Sequence, residues 1–237
     1  MGTSHPTSYR GRAWPAPSFG FLPLRDLPGV KYAWHRGDEL GAQASQVATW
    51  PNLADASNAP TQSVSSAFRP TVDTIGGKKC GLFDGADDKL IYPTSITKDL
   101  LSYFAVVRPT TIPTLYKAVV ATKQHALFQN LNSGTQWGTW LGSNVPSTVA
   151  AVAGVTCLLE IHVNAVNNVD LGRNGVANNR TNGTVFAGNA GSALGSDFTA
   201  AQYADMRLFE LFICDVLTNP ADRLAMRAYL NTKYGIF

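Results

Sequence analysis

From Val30 onward the chain is a succession of short apolar or alternating runs: VKYAW, QVATW, CGLF, KLIY, LSYFAVV, YKAVVAT, HALFQNL, TVAAVA, TCLLEIHV, VDLGR, GTVFAG and MRLFELFICDV. Most of the runs are separated by Asn, Gly, Pro and Asp, the residues that supply turns. Runs of this length between such turns are expected as β-strands of an antiparallel sandwich or barrel. No fixed period relates them, which argues against a propeller or solenoid.

One segment breaks the pattern. In NPADRLAMRAYLNTKYGI, Asn219 to Ile236, Asn219 can accept from the free N–H groups of a first helical turn and Pro220 fits the first helical position. Asp222 suits the positive helix end, and Gly235 sits where a left-handed C-cap is needed. Ala221, Leu224, Ala225 and Ala228 follow the i, i+3, i+4, i+7 spacing, so they are expected as the buried stripe of a single C-terminal helix.

Charged residues make up 15% of the chain, against about 25% in an average soluble protein. The net charge of +3 is spread along the sequence. That leaves no electrostatic footprint for nucleic acid. Cys80, Cys157 and Cys214 have no CxxC spacing and an odd total, and two of them lie inside apolar runs. They are expected as free, buried thiols. MGTSHPTSYRGR lacks the basic-then-apolar order of a secretory signal, and no apolar run reaches membrane-spanning length. The expectation is a protein made in a cytoplasm and not inserted in a membrane.

Residues 1–28 differ from the rest. Pro6, Pro15, Pro17, Pro23 and Pro28 alternate with Tyr9, Trp14, Phe19, Phe21, Arg10, Arg12 and Arg25. Each proline removes a donor and disfavours helix before it, so the segment reads as an extended arm. Aromatics at this density are unlike a flexible linker. Arg10, Arg12, Trp14, Phe19, Phe21 and Arg25 are therefore the expected attachment residues, and residues 29–237 the single domain they hold.

Several runs, in order, resemble the LamG-like branch of the concanavalin A-like jelly rolls found in many bacterial and phage proteins. The resemblance starts at Tyr32-Ala33-Trp34 and at Val47-Ala48-Thr49-Trp50-Pro51-Asn52, similar to the family's V-x-x-W-x-[DN] segment. It continues through Phe68-Arg69-Pro70-Thr71-Val72 and through Phe83-Asp84-Gly85-Ala86-Asp87-Asp88-Lys89-Leu90, which resembles FDGxDDxL. Phe104 to Pro109 resembles a central strand of the family. Leu208 to Ile213, followed by Tyr229-Leu230-Asn231-Thr232-Lys233-Tyr234-Gly235-Ile236, resembles its YLxxKYGI close. The resemblance implies an all-β, two-sheet antiparallel jelly-roll sandwich of Greek-key type, with the helix and arm as additions. It leaves function open, because lectins, glycanases, adhesion modules and virion parts share this superfamily.

Chemistry on such a sandwich needs particular groups. A glycanase needs two carboxylates flanking one bond, and this chain has three glutamates, Glu39, Glu160 and Glu210, with no E-x-D-x-E cluster. No nucleophile elbow, P-loop or dinucleotide fingerprint occurs, and the four histidines are isolated from one another and from every cysteine. Asp84, Asp87 and Asp88 are the best metal candidate, as oxygen ligands for calcium, but a Gly-containing turn explains them as well. No cofactor is expected. Trp137 and Trp140 are candidate sugar-stacking residues, although positions three apart in a regular strand face opposite sides, so at least one belongs to the core. Asn167, Asn168, Asn178 and Asn179 are candidate amide contacts within a stretch that also reads as a turn-rich hairpin.

The sequence thus favours a non-enzymatic structural or interaction module. The first expectation is a tailed-phage virion protein, present in many copies and bound by its arm to capsid or tail subunits. A glycan-binding adhesion module is the alternative. A polysaccharide hydrolase has the least support.

Overall fold

The computed structural model describes residues 27, 29–112, 115–123, 126–129, 135–141, 144–165, 168–181, 191–197 and 202–237. Arg10, Arg12, Trp14, Phe19, Phe21, Arg25 and Asn167 lie outside the described residues, as does the GTVFAG run.

The described chain forms two antiparallel sheets and one helix, as the sequence led us to expect. The first sheet contains β1 (Lys31–Arg36), β2 (Thr71–Ile75), β3 (Lys78–Asp84), β5 (Leu101–Pro109), β10 (Cys157–Ala165), β11 (Asn168–Arg173), β12 (Val176–Thr181) and β14 (Asp205–Asp215). Its order is β12-β11-β10-β5-β14-β3-β2, with β1 also paired to β14. The second sheet runs β4 (Leu90–Ile91), β13 (Ala193–Leu194), β6 (Lys117–Ala121), β7 (Ala126–Gln129), β8 (Gln136–Trp140) and β9 (Asn144–Ala150). Helix α1 spans Pro220–Tyr234.

The core lies between the sheets. Tyr103, Ala105 and Val107 of β5, Leu159, Ile161 and Val163 of β10, and Leu211 and Ile213 of β14 meet Val120, Leu127 and Trp137 of the facing sheet. The alternate residues of those three strands are also buried. Phe104, Val106, Leu158, Phe209, Phe212 and Cys214 form a second cluster with Leu27, Leu217, Met226 and Leu230. Helix α1 therefore covers the outer face of the first sheet. This is why LSYFAVV and LFELFICDV read as continuous apolar runs: both faces of these strands are dry.

The helix forms where its caps dictate. Asn219 Oδ1 accepts the Ala221 N–H at 3.0 Å, and Gly235 adopts φ +62°. Its buried stripe is a different one from that expected. Ala221, Leu224 and Ala228 are exposed and Ala225 is half-buried, whereas Met226 and Leu230 are buried. Arg223, Arg227, Lys233 and Tyr234 flank those two on the inward side. The template is the same but displaced by two residues. An apolar-periodicity reading passes over arginines, yet the sheet beneath presents carboxylates and selects the polar stripe.

The QVATW run also differs from expectation. It makes only isolated bridges, Gln46 to Thr71 and Thr49 to Thr61, while Val47 and Trp50 are sunk in the core. The Trp50 Nε1–H donates to the Arg36 carbonyl at 3.0 Å, so the tryptophan fastens this loop to β1 without a ladder. All three cysteines are free and buried, as the sequence indicated.

Candidate functional site

The carboxylates come first because hydrolysis would need them. Glu160 on β10 and Glu210 on β14 stand opposite Phe104 and Val106 of β5, so they share the outer face of the first sheet with one strand between them. Both are about 1% exposed. Arg227 Nε approaches the two oxygens of Glu160 at 2.9 and 2.7 Å. Glu210 accepts from Trp34 Nε1 at 2.8 Å and the Tyr229 hydroxyl at 2.9 Å on one oxygen. Its other oxygen accepts from Lys233 Nζ and the Tyr234 hydroxyl, each at 2.8 Å. Four donors occupy the lone-pair sites of one carboxylate, leaving none for a substrate. The proximity of the two glutamates is therefore a seat for α1. Glu39, in a short 3₁₀ turn, is partly exposed beside Arg36.

A serine, a histidine and a glutamate also line up under the helix, a grouping that sequence spacing did not signal. Ser102 Oγ lies 2.8 Å from His162 Nδ1, and His162 Nε2 lies 3.6 Å from Glu160 Oε2. All three are buried. Ser102 Oγ already accepts the Leu217 N–H at 2.8 Å. A nucleophile needs access to its substrate, and this hydroxyl has none.

The aspartates converge as expected. Oxygens of Asp84, Asp87 and Asp88 lie within 4.8 Å of one another. Asp84 Oδ1 accepts the N–H groups of Ala86 at 2.8 Å and Asp87 at 3.4 Å, and Asp88 Oδ2 accepts that of Asp84 at 2.9 Å. These bonds close the turn between β3 and β4. Gly85 is required there, because its φ is +78° and an added Cβ would fall 2.8 Å from Asp205 Cβ. Burial, with Asp84 and Asp87 nearby, pushes the Asp88 carboxyl up to about 6. The FDGxDDxL-like run is thus a turn whose ends, Phe83 and Leu90, are in the core.

The tryptophans separate as the strand alternation requires. Trp137 is completely buried between the sheets, which removes it as a sugar contact. Trp140 is half-buried on the opposite, outer face of the second sheet, where it packs on Ala118, Ala121 and Ala126. The register explains the floor beneath it: Trp140 stands opposite Ala126, Ala126 opposite Ala121, and Ala121 opposite Ala193. Ala126 on β7 and Ala121 and Ala118 on β6, the next two strands, leave room for a large indole.

Asn168, Asn178 and Asn179 lie on β11 and β12, at the edge of the other sheet. Asn168 pairs with Thr181, Asn178 with Leu171 and Asn179 with Asp170. The hairpin reading holds here, since Asn174 and Gly175 turn the chain with φ of +51° and +81°. These asparagines are not on the sheet that carries Trp140. β9, the strand beside β8, approaches β11 and β12 where the sheet edges meet.

Neither a family model nor a curated protein sequence matches the chain. Solved structures share its fold. Domain 4 of the extracellular GH43 arabinanase of Geobacillus stearothermophilus, solved with arabinotriose, superposes with a TM-score of 0.58 at 15% identity, covering 84% of this chain and 98% of that one. A Trypanosoma rangeli sialidase, in complex with sialic acid, gives 0.58 at 9% identity over 86% of this chain. The chain spans about a third of that sialidase's length, 33%. The binding domain of Paraclostridial Mosquitocidal Protein 1 gives 0.57 at 10% identity, covering 89% of this chain and 53% of that one. The fold is a β-sandwich.

Proposed function

We propose that the chain is a non-enzymatic binding module whose ligand is a carbohydrate, received on the outer face of the second sheet at Trp140. The observation that carries this reading is the indole itself, large, half-buried and braced by alanines. A braced aromatic gives an apolar face with little rotamer entropy left to lose, which suits stacking against the apolar face of a sugar ring. The absence of catalysis rests on the glutamates: two of the three are sealed beneath α1 by Arg227, Lys233 and two tyrosines. That a similar domain was solved with arabinotriose belongs to that protein, and it makes a pentose or hexose oligosaccharide the first ligand class to try. Attachment to a virion capsid or tail rests on the composition of the arm and is compatible with this reading: the arm would hold the module and the sheet would bind.

The test is a glycan array read with the wild type, Trp140→Ala and Trp137→Ala. Binding should fall at least tenfold in Trp140→Ala while its melting temperature stays close to wild type. Trp137→Ala should instead lower stability by about 3–5 kcal/mol, the usual cost of emptying a buried aromatic site. Glycan binding that survives Trp140→Ala rules this face out, and release of reducing sugar would overturn the non-enzymatic reading.

A further inference from the structure

Where the chain leads into α1, a relay of buried groups lies beneath it. Ser102 on β5 accepts the Leu217 N–H through Oγ and faces His162 Nδ1, both at 2.8 Å. The Leu217 carbonyl in turn accepts Arg223 Nε of the helix at 2.6 Å. Ser102 has one hydroxyl proton, and giving it to Nδ1 is the arrangement that leaves none unpaired. The imidazole is then neutral, with Nε2–H directed toward Glu160 at 3.6 Å, beyond hydrogen-bond range.

The charges around this ring are already balanced. Glu160 from its own strand is taken by Arg227 of α1 at 2.7 Å. Asp170, directly opposite on β11, lies 3.3 Å from Arg223, which also reaches Asn164 Oδ1 at 3.0 Å. From β5 come only the Ser102 hydroxyl and the Phe104 ring, at 5.3 Å. Two carboxylates and two guanidiniums leave no spare negative charge for a third cation.

We propose that His162 is a proton-operated release for the first half of α1. A proton on Nδ1 turns that nitrogen from acceptor to donor, so Ser102 must accept from it and from Leu217 together. The serine's own proton is then buried without a partner, and the Leu217 segment loosens together with the bond from Arg223 Nε to the Leu217 carbonyl, one of the three that hold Arg223. Residues 217–227 come away while Lys233, Tyr229 and Tyr234 still hold the far end on Glu210. Burial keeps the ring's pKa below the usual histidine value, with Arg223 adding to the effect and the Glu160 and Asp170 carboxylates opposing it, so acid favours the state in which the ring reaches water.

Hydrogen exchange of the full chain, expressed as protection factors so that the intrinsic pH dependence cancels, tests this. Protection of residues 217–227 should fall roughly tenfold for each pH unit below about 6.5, until the buried ring's own pKa is reached, over and above any fall that β6 to β8 share through the global stability of the domain. His162→Gln, which cannot titrate, should lose this excess and keep only the shared fall. Equal loss in α1 and in β6 to β8, or the excess retained in His162→Gln, overturns the proposal. Should that variant fail to fold, an NMR titration of the wild type gives the same answer. Helix amides lost at the His162 midpoint support the release, and helix amides unchanged through that midpoint refute it.

Discussion

His35 shows how far one residue can set the behaviour of the domain. It is wholly buried on β1 between two partners, the Pro51 carbonyl at 2.9 Å from Nδ1 and the Tyr92 hydroxyl at 2.7 Å from Nε2. A neutral ring that donates from Nδ1 and accepts at Nε2 satisfies both. Burial lowers its pKa to about 4. The unfolded chain takes up the proton near pH 6.5 and the folded one only near pH 4, so stability is complete above pH 6.5 and drains as the pH falls between those values. The full effect is roughly 3 kcal/mol. Asp88 works in the opposite sense, because its raised carboxyl favours the folded state as the pH falls from about 6 toward the ordinary carboxylate range. The comparison must therefore be with His35→Gln. Between pH 7 and pH 4, urea denaturation should show the wild type losing roughly 3 kcal/mol more than the variant, and parallel curves would remove His35 from the account.

Among elements, the helix joins what could be read in the sequence to what could not. Its caps were legible because they depend only on neighbours along the chain: Asn219, Pro220 and Gly235 act within one turn. Its buried face was not, because that depends on carboxylates from β10 and β14, which lie 67 and 23 residues from the groups they bind. The YLxxKYGI-like close makes sense once Glu210 is in view. Tyr229, Lys233 and Tyr234 all donate to that carboxylate, and Leu230 fills the apolar cluster beside it. Glu210→Ala would strand these donors together with Trp34. It should cost about 3–5 kcal/mol by chemical denaturation and expose α1 to trypsin at Arg227 and Lys233. A loss under 1 kcal/mol would mean the seat is redundant. The tryptophans follow the same logic: alternation along β8 says that Trp137 and Trp140 part company, but only cross-strand register shows which of them lies on alanines.

At the scale of the whole molecule, the junction between the Pro- and aromatic-rich segment and the domain is visible. Leu27, within the segment read as arm, is buried in the cluster beneath α1, and its carbonyl accepts from Lys31 Nζ. Deletion should therefore stop before it. A protein lacking residues 1–26 should keep a near-wild-type melting temperature and, on the proposed attachment role of the arm, lose binding to the partner that the full chain holds. Removal of residues 1–28 should in addition lower the melting temperature, because Leu27 is lost. Aggregation of the shorter deletion would mean that the arm covers the core instead of reaching outward. Another consequence follows from β14, which pairs with β5, β3 and β1 at once and bonds to the start of β1 across 185 residues of chain. Among the described strands β1 has no strand partner until β14, the last of them, has been made. During synthesis β1 waits unpaired, and β3 and β5, paired to β2 and β10 on one side, each keep one open edge, so the large sheet closes only after the ribosome has released most of the chain. Premature stops before β14 should leave no smaller folded core behind, and such fragments should go to aggregates or proteases instead of persisting as soluble partial domains.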